Sequence, residues 1–181
     1  STFLLRRFLG RIGYAVEGWG RGRNEGRMLD HLPGTMAHLE AMAERAGRPV
    51  HIVGWSRGGT LAREVAREFG NRQHDLVRQV ITLGSPVRGG PGASSIAWLA
   101  KRQTGMTVEQ MNALVEERAR TPITVPITAI YSRTDGVVAW RASIDERSPD
   151  VEHVEVRGSH IGLGCNTEVF REVAQRLARP R

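Results

Sequence analysis

The sequence predicts an α/β protein whose mostly parallel sheet is flanked by helices. Short apolar runs bounded by Gly and Pro alternate along the chain with amphipathic helical patterns. The clearest unit is an apolar run at residues 49–54, a helical pattern at 58–69 and a second apolar run at 77–83. Such alternation is typical of parallel sheets with right-handed crossovers. The 181 residues are expected to form one domain, since a domain commonly has about 150 residues.

The N-terminal quarter is predicted to contain two helices. Apolar residues at helical spacing predict the first helix over residues 3–12, and residues 14–18 are predicted to form a short strand. The glycine-rich residues 18–26 predict a loop, and their spacing does not match that of dinucleotide or P-loop sites. A second helix is predicted over residues 35–46, because Pro33 and Gly34 precede this apolar stripe and Gly47 follows it.

Residues 87–125 interrupt the alternation and are expected to form an insertion or lid within the domain. They comprise a Gly/Pro loop, a short apolar stretch at 96–100, and a helix capped by Thr107 with Gln110 in the capping-box position. Beyond the insertion, residues 127–131 and 151–156 are predicted strands, and a last amphipathic helix is predicted after Asn166.

The composition excludes several classes of function. The net charge is +7, but Lys101 is the only lysine among 26 basic residues and the arginines are scattered, so no specific nucleic-acid partner is predicted. A single cysteine, Cys165, excludes an internal disulfide. No cluster of metal-ligating residues is evident, so no metal or other cofactor is predicted. The longest apolar run falls short of the ~18 residues of a membrane span. This favours a soluble, cytoplasmic protein of undetermined oligomeric state.

One motif points to nucleophilic catalysis. Residues 54–58 read Gly-Trp-Ser-Arg-Gly, a G-x-S-x-G pattern between a predicted strand and a predicted helix. A serine on such a sharp turn is expected to need small residues at both glycine positions of the motif, and its hydroxyl would project from the carboxyl edge of the sheet. Ser56 is therefore the candidate nucleophile.

A serine hydroxyl needs a base to remove its proton and an acid to orient that base. Asp135 and His160 each follow a predicted strand, and they occur in the order Ser, Asp, His. Asp145 or Asp150 could replace Asp135 as the acid. His51 is interpreted as a core histidine, and surface positions are expected for the other histidines: His31, His38, His74 and His153.

Four segments together resemble α/β-hydrolases of the bacterial esterase and triacylglycerol-lipase type, and the resemblance extends over nearly the whole chain. The segments are residues 51–59 (HIVGWSRGG), 81–86 (ITLGSP), 130–138 (IYSRTDGVV) and 158–163 (GSHIGL). The resemblance implies that Ser56 is the nucleophile, His160 the general base and then acid, and Asp135 the orienting acid. It also implies that the backbone N–H of Arg57 is one of two donors to the oxyanion.

In this family an early strand precedes the first helix, and the loop between them supplies the other oxyanion donor. The first predicted helix begins almost at residue 2, so we expect that strand and that donor to lie upstream of Ser1. The chain would then be a fragment with half of the oxyanion hole, and losing one donor costs about 10²–10³ in rate.

Trp55, Trp98, Trp140 and the insertion could line an apolar acyl pocket, or the tryptophans could be packing residues. The function expected from these observations is hydrolysis of carboxylic esters, with lipid esters among the candidates, through an acyl-enzyme on Ser56. An acyltransferase or thioesterase of the same fold is an alternative, and so is a noncatalytic binding domain that resembles a hydrolase.

Overall fold

The structure, a computed structural model, describes residues 2–22, 28–88 and 105–179. Within these ranges the strands form one four-stranded sheet in the order β1-β2-β3-β4, and all neighbouring strands are parallel. This confirms the predicted α/β class and the parallel sheet. The strands are β1 (Val50–Trp55), β2 (Val77–Leu83), β3 (Ile127–Tyr131) and β4 (Val151–Glu155).

Helices flank the sheet, as predicted. They are α1 (Phe3–Arg11), α2 (Met28–Ala46), α3 (Arg57–Asn71), α4 (Val108–Arg118) and α5 (Thr167–Leu177), with short 3₁₀ turns at Trp140–Ser143 and Gly162–Gly164. In one core, apolar residues of α2 and α3 pack on the sheet; in the other, residues of α1 and α5 pack on it. The sheet therefore has a helical layer on each face, as expected for parallel strands whose crossovers are helices.

The register of the sheet brings the carboxyl ends of its strands to one edge. Trp55 pairs with Leu83 at the ends of β1 and β2, and Tyr131 pairs with Glu155 at the ends of β3 and β4. The backbone N–H of Ser56 donates to the carbonyl oxygen of Leu83 at 2.8 Å. The residues that follow the four strands are therefore neighbours in space, although up to about a hundred positions separate them in the chain.

The prediction of a strand at residues 14–18 is wrong. These residues adopt no strand conformation, and Tyr14 and Val16 instead pack against the core formed by α1 and α5. A strand requires a neighbour with free backbone donors and acceptors, and this segment pairs with no strand in the described part of the chain. Tyr14 and Val16 therefore contribute to the core without a ladder of hydrogen bonds.

Helix α2 begins earlier than predicted and contains Pro33 in its interior. Proline removes one backbone hydrogen bond and usually ends or kinks a helix. Here the buried stripe runs through it, at Leu32, Met36, Leu39 and Ala43. These spacings of four, three and four residues keep one face of the helix in the core, and the packing stabilises a helix that local propensity disfavours.

The structure describes the predicted insertion only at residues 87–88 and from residue 105 onward, so the apolar stretch at 96–100 and Trp98 lie outside the described residues. The predicted cap of α4 is confirmed. The backbone N–H of Gln110 donates to the Thr107 hydroxyl at 3.2 Å, and the backbone N–H of Thr107 donates to the Gln110 side chain at 2.8 Å. These reciprocal bonds satisfy two backbone donors at the helix start.

Ion pairs join α4 to α3. The Arg118 guanidinium on α4 donates to Glu64 and to Glu68 on α3, and Glu64 also accepts from Arg67. Glu64 and Arg67 are both buried. Charged groups are seldom buried unless they are paired, and here the pairs connect α4 to α3.

None of the helices in the described ranges is both long and apolar enough to cross a bilayer.

Candidate active site

Ser56 occupies a strained turn between β1 and α3. Its backbone has φ 56° and ψ −125°, a conformation that residues with a side chain rarely adopt and that costs on the order of 1–3 kcal/mol. Surrounding structure must hold such a residue in place, and strain of this kind is concentrated at functional sites. Here the preceding strand and the following helix supply that constraint.

Close backbone packing explains two glycines at this turn. A Cβ on Gly54 would lie 2.4 Å from the Cα of Gly59, and a Cβ on Gly59 would lie 2.0 Å from the Ser85 hydroxyl. By contrast, a Cβ on Gly58 would meet nothing within 4 Å. The expectation that both glycines of the G-x-S-x-G pattern are needed for space is therefore wrong at Gly58, and the close approach at the start of α3 occurs one residue later.

The structure brings Ser56, His160 and Asp135 together in one chain of hydrogen bonds. His160 Nε2 lies 2.9 Å from Ser56 Oγ, and His160 Nδ1 lies 2.8 Å from Asp135 Oδ2. The neutral tautomer with its proton on Nδ1 satisfies both contacts, because Nδ1 then donates to the carboxylate and Nε2 accepts from the hydroxyl. His160 and Asp135 are both buried, so water competes little for these bonds.

The turn after β3 holds the Asp135 carboxylate in place. Its Oδ1 accepts from the backbone N–H groups of Val137 and Val138 at 2.9 and 2.6 Å. The Asp135 carbonyl oxygen accepts from the backbone N–H of His160 at 2.8 Å. Burial alone would raise the pKa of Asp135, but the hydrogen bonds from His160 and the two backbone donors outweigh it and lower the pKa. Asp135 is therefore an anion at neutral pH, positioned to stabilise a protonated His160.

Trp55 contacts His160 through its indole ring. Its indole Nε1–H donates to the His160 carbonyl oxygen at 3.1 Å, and the two rings lie 5.6 Å apart between centroids. The residue before the serine thus contacts the histidine that the serine uses, which couples the end of β1 to the loop after β4. Trp55 therefore lies beside His160, and its role in lining an acyl pocket stays a prediction.

Gly84 was not anticipated from the sequence. It follows β2 with φ +52°, and a Cβ there would lie 2.8 Å from Asp135 Oδ2 and 3.3 Å from His160 Nδ1. The Asp–His contact therefore packs directly against the backbone at residue 84. The sequence signal that could have pointed to Gly84 is the Gly-Ser-Pro turn directly after a predicted strand. The turns that follow parallel strands lie at the edge of the sheet where the site is.

The alternative acid Asp145 lies elsewhere. It pairs with Arg63, and its Oδ1 accepts from the backbone N–H groups of Arg147 and Ser148 at 2.8 and 3.2 Å. Burial opposes ionisation of Asp145, but the Arg63 charge and these donors lower its pKa strongly. Asp150 lies before β4, where its carbonyl oxygen accepts from Ile127. His160 makes its carboxylate contact with Asp135.

The other two tryptophans predicted as possible pocket residues are Trp140 and Trp98. Trp140 stacks on Tyr131 with 5.9 Å between ring centroids, and the guanidinium groups of Arg133 and Arg141 lie 4.7 and 4.5 Å from its ring centroid. These contacts are those of a residue that packs against its neighbours on the domain. Trp98 lies outside the described residues. Among the described side chains, no three His, Cys, Asp or Glu residues are grouped as a metal site requires.

Comparison with known proteins is consistent across sequence and structure. A model of the alpha/beta hydrolase family matches residues 2–175. A lipase-esterase related protein from Clostridium acetobutylicum is 15% identical, with a TM-score of 0.68, covering 96% of this chain and 87% of its own. One of two metagenome-derived lipolytic enzymes is 17% identical, with a TM-score of 0.67, covering 98% of this chain and 87% of its own. A Bacillus licheniformis lipase is also 17% identical, with a TM-score of 0.66; the match covers 86% of this chain and 76% of the lipase.

No curated protein matches the chain significantly. The solved structures share its fold at low identity, whereas the family model spans nearly all of its residues. From the parallel sheet, the turn that holds Ser56 and this match, we conclude that the chain belongs to the alpha/beta hydrolase family.

Proposed function

We propose that this protein is a serine hydrolase that cleaves carboxylic esters through an acyl-enzyme formed on Ser56. The observation that carries the proposal is the buried chain of hydrogen bonds from Ser56 through His160 to Asp135, at 2.9 and 2.8 Å. This arrangement supplies a nucleophile, a base within reach of its proton, and an anion that favours the protonated base.

The reaction proceeds in two stages. Ser56 Oγ attacks the ester carbonyl carbon while His160 Nε2 accepts the hydroxyl proton, and the carbonyl oxygen becomes an oxyanion. The backbone N–H of Arg57, at the first position of α3, donates to that oxyanion, and the positive end of the helix dipole assists. His160 then returns the proton to the departing alcohol, which leaves the acyl group on Ser56. In the second stage His160 Nε2 takes a proton from water as the water oxygen attacks the acyl carbon. The bond from the acyl carbon to Ser56 Oγ then breaks, His160 returns the proton to Oγ, and the acid is released.

An apolar side chain beside the reacting groups supports an ester with an apolar portion. Ile161 follows His160 directly and is 75% exposed, the largest exposed fraction among the large apolar residues that the structure describes. The Clostridium protein described above is named a lipase-esterase related protein, and the Bacillus protein is named a lipase. Lipid esters are accordingly the first substrates to test.

The test is labelling with a fluorophosphonate, followed by intact-mass measurement, on wild type, Ser56→Ala and Ser159→Ala. Ser159 is a matched control, because its hydroxyl lies one residue from His160 but accepts from the Gly162 backbone N–H. We expect one adduct on wild type and on Ser159→Ala, and none on Ser56→Ala. A panel of p-nitrophenyl esters of increasing acyl length then measures ester turnover.

Each alternative has a distinct outcome. Labelling of Ser56 without turnover of any ester would favour an acyltransferase or thioesterase. The absence of labelling in a folded sample would overturn the proposal in favour of a noncatalytic binding domain.

A further inference from the structure

His160 lies on a loop whose position is not set by strand pairing. The loop runs from Arg157 to Asn166, between β4 and α5, and the structure describes every residue of it. Within these residues it contains one short 3₁₀ turn and no strand. The His160 ring must nevertheless stay within hydrogen-bond distance of both Ser56 Oγ and Asp135 Oδ2. Contacts of another kind must therefore hold the backbone of this loop.

The Asn166 side chain joins the two ends of the loop. Its Nδ2 donates to the carbonyl oxygen of Arg157 at 2.7 Å, across nine positions of the chain. Its Oδ1 accepts from the backbone N–H of Glu168 at 2.8 Å. This second bond is a helix N-cap, which satisfies one of the free backbone donors at the start of α5. One side chain thus closes the loop that carries His160 and connects it to the first turn of the last helix.

Helix α5 is well anchored, so it can hold the loop. Leu163, in the second half of the loop, is fully buried in the same core as this helix. The Asn166 amide also lies close to the backbone two residues before His160, since a Cβ on Gly158 would lie 3.5 Å from Asn166 Nδ2. The buried apolar side chains of α5 are Val169, Val173 and Leu177.

The first half of the loop contacts the turn after β3. The backbone N–H of His160 donates to the Asp135 carbonyl oxygen at 2.8 Å, and the Thr134 hydroxyl donates to the Gly158 carbonyl oxygen at 3.3 Å. Both bonds involve loop residues no later than 160. The bond from Asn166 therefore adds a constraint that these two do not provide, because it fixes the far end of the loop to its beginning.

We propose that Asn166 is a positioning residue, which keeps the His160 ring between Ser56 and Asp135 by closing the loop onto α5. The inference rests on the proposed function, in which His160 takes the serine proton. Asn166 acts only through the loop, since its two hydrogen bonds go to backbone groups. Proton transfer requires hydrogen-bond distance, and a misplacement near 1 Å costs about 10²-fold in rate.

Two substitutions separate closure of the loop from capping of the helix. Asn166→Asp has the same shape and keeps an oxygen for the cap, but its other oxygen faces the Arg157 carbonyl oxygen, and two acceptors 2.7 Å apart repel each other. Asn166→Ser also keeps the cap and has no atom at the position of Nδ2. For both we expect kcat for a p-nitrophenyl ester to fall about 10-fold to 10²-fold. The ratio kcat/KM should fall by the same factor, because substrate binding is unchanged.

Glu172→Gln is the matched control within the same helix. Glu172 pairs with Arg176 on α5, so this substitution weakens the helix and leaves both Asn166 bonds in place. We expect a lower Tm and the wild-type kcat. If Asn166 only stabilised α5, its two variants would likewise keep the wild-type kcat at a temperature where they are folded, and that result would overturn the inference.

A spectroscopic readout needs no substrate. The proton between His160 Nδ1 and Asp135 is expected to give a proton NMR resonance far downfield of the backbone amides. This resonance should be unchanged in Glu172→Gln and shifted or broadened in the two Asn166 variants. That result would support the inference even if the wild type hydrolysed no ester, which would count against the proposed function alone. An unaltered resonance in both Asn166 variants would overturn the inference even if the wild type hydrolysed esters. If one of the two variants does not fold, the other decides.

Discussion

The substitution Gly84→Ala tests whether the backbone after β2 positions the Asp135–His160 pair. The added Cβ would lie 2.8 Å from Asp135 Oδ2, 2.8 Å from Leu163 Cδ1 and 3.3 Å from His160 Nδ1. Side-chain carbons essentially never approach other atoms to less than 3.0 Å, so the carboxylate must move. Its freedom is small, because Val137 and Val138 hold its other oxygen.

Two effects of different kind follow from this change. Alanine at the positive φ of residue 84 costs about 1–2 kcal/mol of stability, which corresponds to a decrease in Tm of roughly 2–8 °C for a chain of this length. Displacement of Asp135 weakens the contact that orients His160, and a misplacement near 1 Å costs about 10²-fold in rate. We therefore expect kcat for a p-nitrophenyl ester to fall about 10²-fold, well beyond any effect of reduced stability below Tm.

Gly47→Ala is the matched control. Gly47 has φ +61° and lies between α2 and β1, where an added Cβ would meet nothing within 4 Å. This variant should lose the part of the stability that is due to the positive φ and keep the wild-type kcat. If Gly84→Ala lost no more activity than Gly47→Ala at a temperature where both are folded, the assignment of Gly84 as a positioning residue would be refuted.

Three further predictions concern stability. Gly58→Ala should leave Tm unchanged or raise it, because the site is open and alanine favours a helix over glycine by about 0.5–1 kcal/mol. Gly59→Ala should destabilise the protein by about 1–3 kcal/mol through overpacking. Thermal unfolding compares the two variants, and equal Tm values would contradict the packing described at this turn. Ser56→Gly should raise Tm, because glycine relieves the backbone strain and increases the free energy of unfolding by about 1 kcal/mol net. Ser56→Ala should not raise Tm, because alanine keeps a Cβ at the same strained backbone angles. A higher Tm for Ser56→Ala would contradict the assignment of strain to residue 56. Asp145→Asn should destabilise by about 3–5 kcal/mol at pH 7, since it leaves the buried Arg63 charge uncompensated. The folded-state pKa of Asp145 lies below its unfolded value, so the stability it contributes is present above about pH 4 and is lost as the pH falls. Urea unfolding of wild type and variant at several pH values should give a difference that shrinks in acid, and a difference independent of pH would argue against the pairing.

The order of strands and helices was predictable from local pattern, because parallel strands are short apolar runs and their crossover helices have an apolar stripe. The turn at Ser56 was predictable for the same reason, since the motif and its flanking elements are contiguous in the chain. The structure also brings Asp135 and His160 to Ser56, and their catalytic roles remain predictions.

The features that sequence reasoning missed depend on contacts between distant segments. Whether residues 14–18 become a strand depends on a neighbouring strand, which local pattern does not reveal. Helix α2 continues through Pro33 because Leu32 and Met36 lie in one buried stripe. The helix is stabilised there by packing against other elements, which the local sequence does not reveal. The constraint on Gly84 arises from side chains about 50 and 80 positions later in the chain, so the local Gly-Ser-Pro turn marks the end of the strand but not the contact with Asp135 and His160.

The ion pairs between α3 and α4 have a consequence for how this protein responds to heat. Glu64 is shared by Arg67 and Arg118, and Arg118 also reaches Glu68. The hydration of charged groups becomes less favourable as temperature rises, so the desolvation cost of such a network decreases on warming, while apolar burial gains little more. The contact between α4 and α3 should therefore retain its strength closer to the melting temperature than the apolar contacts around α1 do. Amide exchange measured on a temperature ramp would then register protection lost at the N-terminal helix before it is lost at α4.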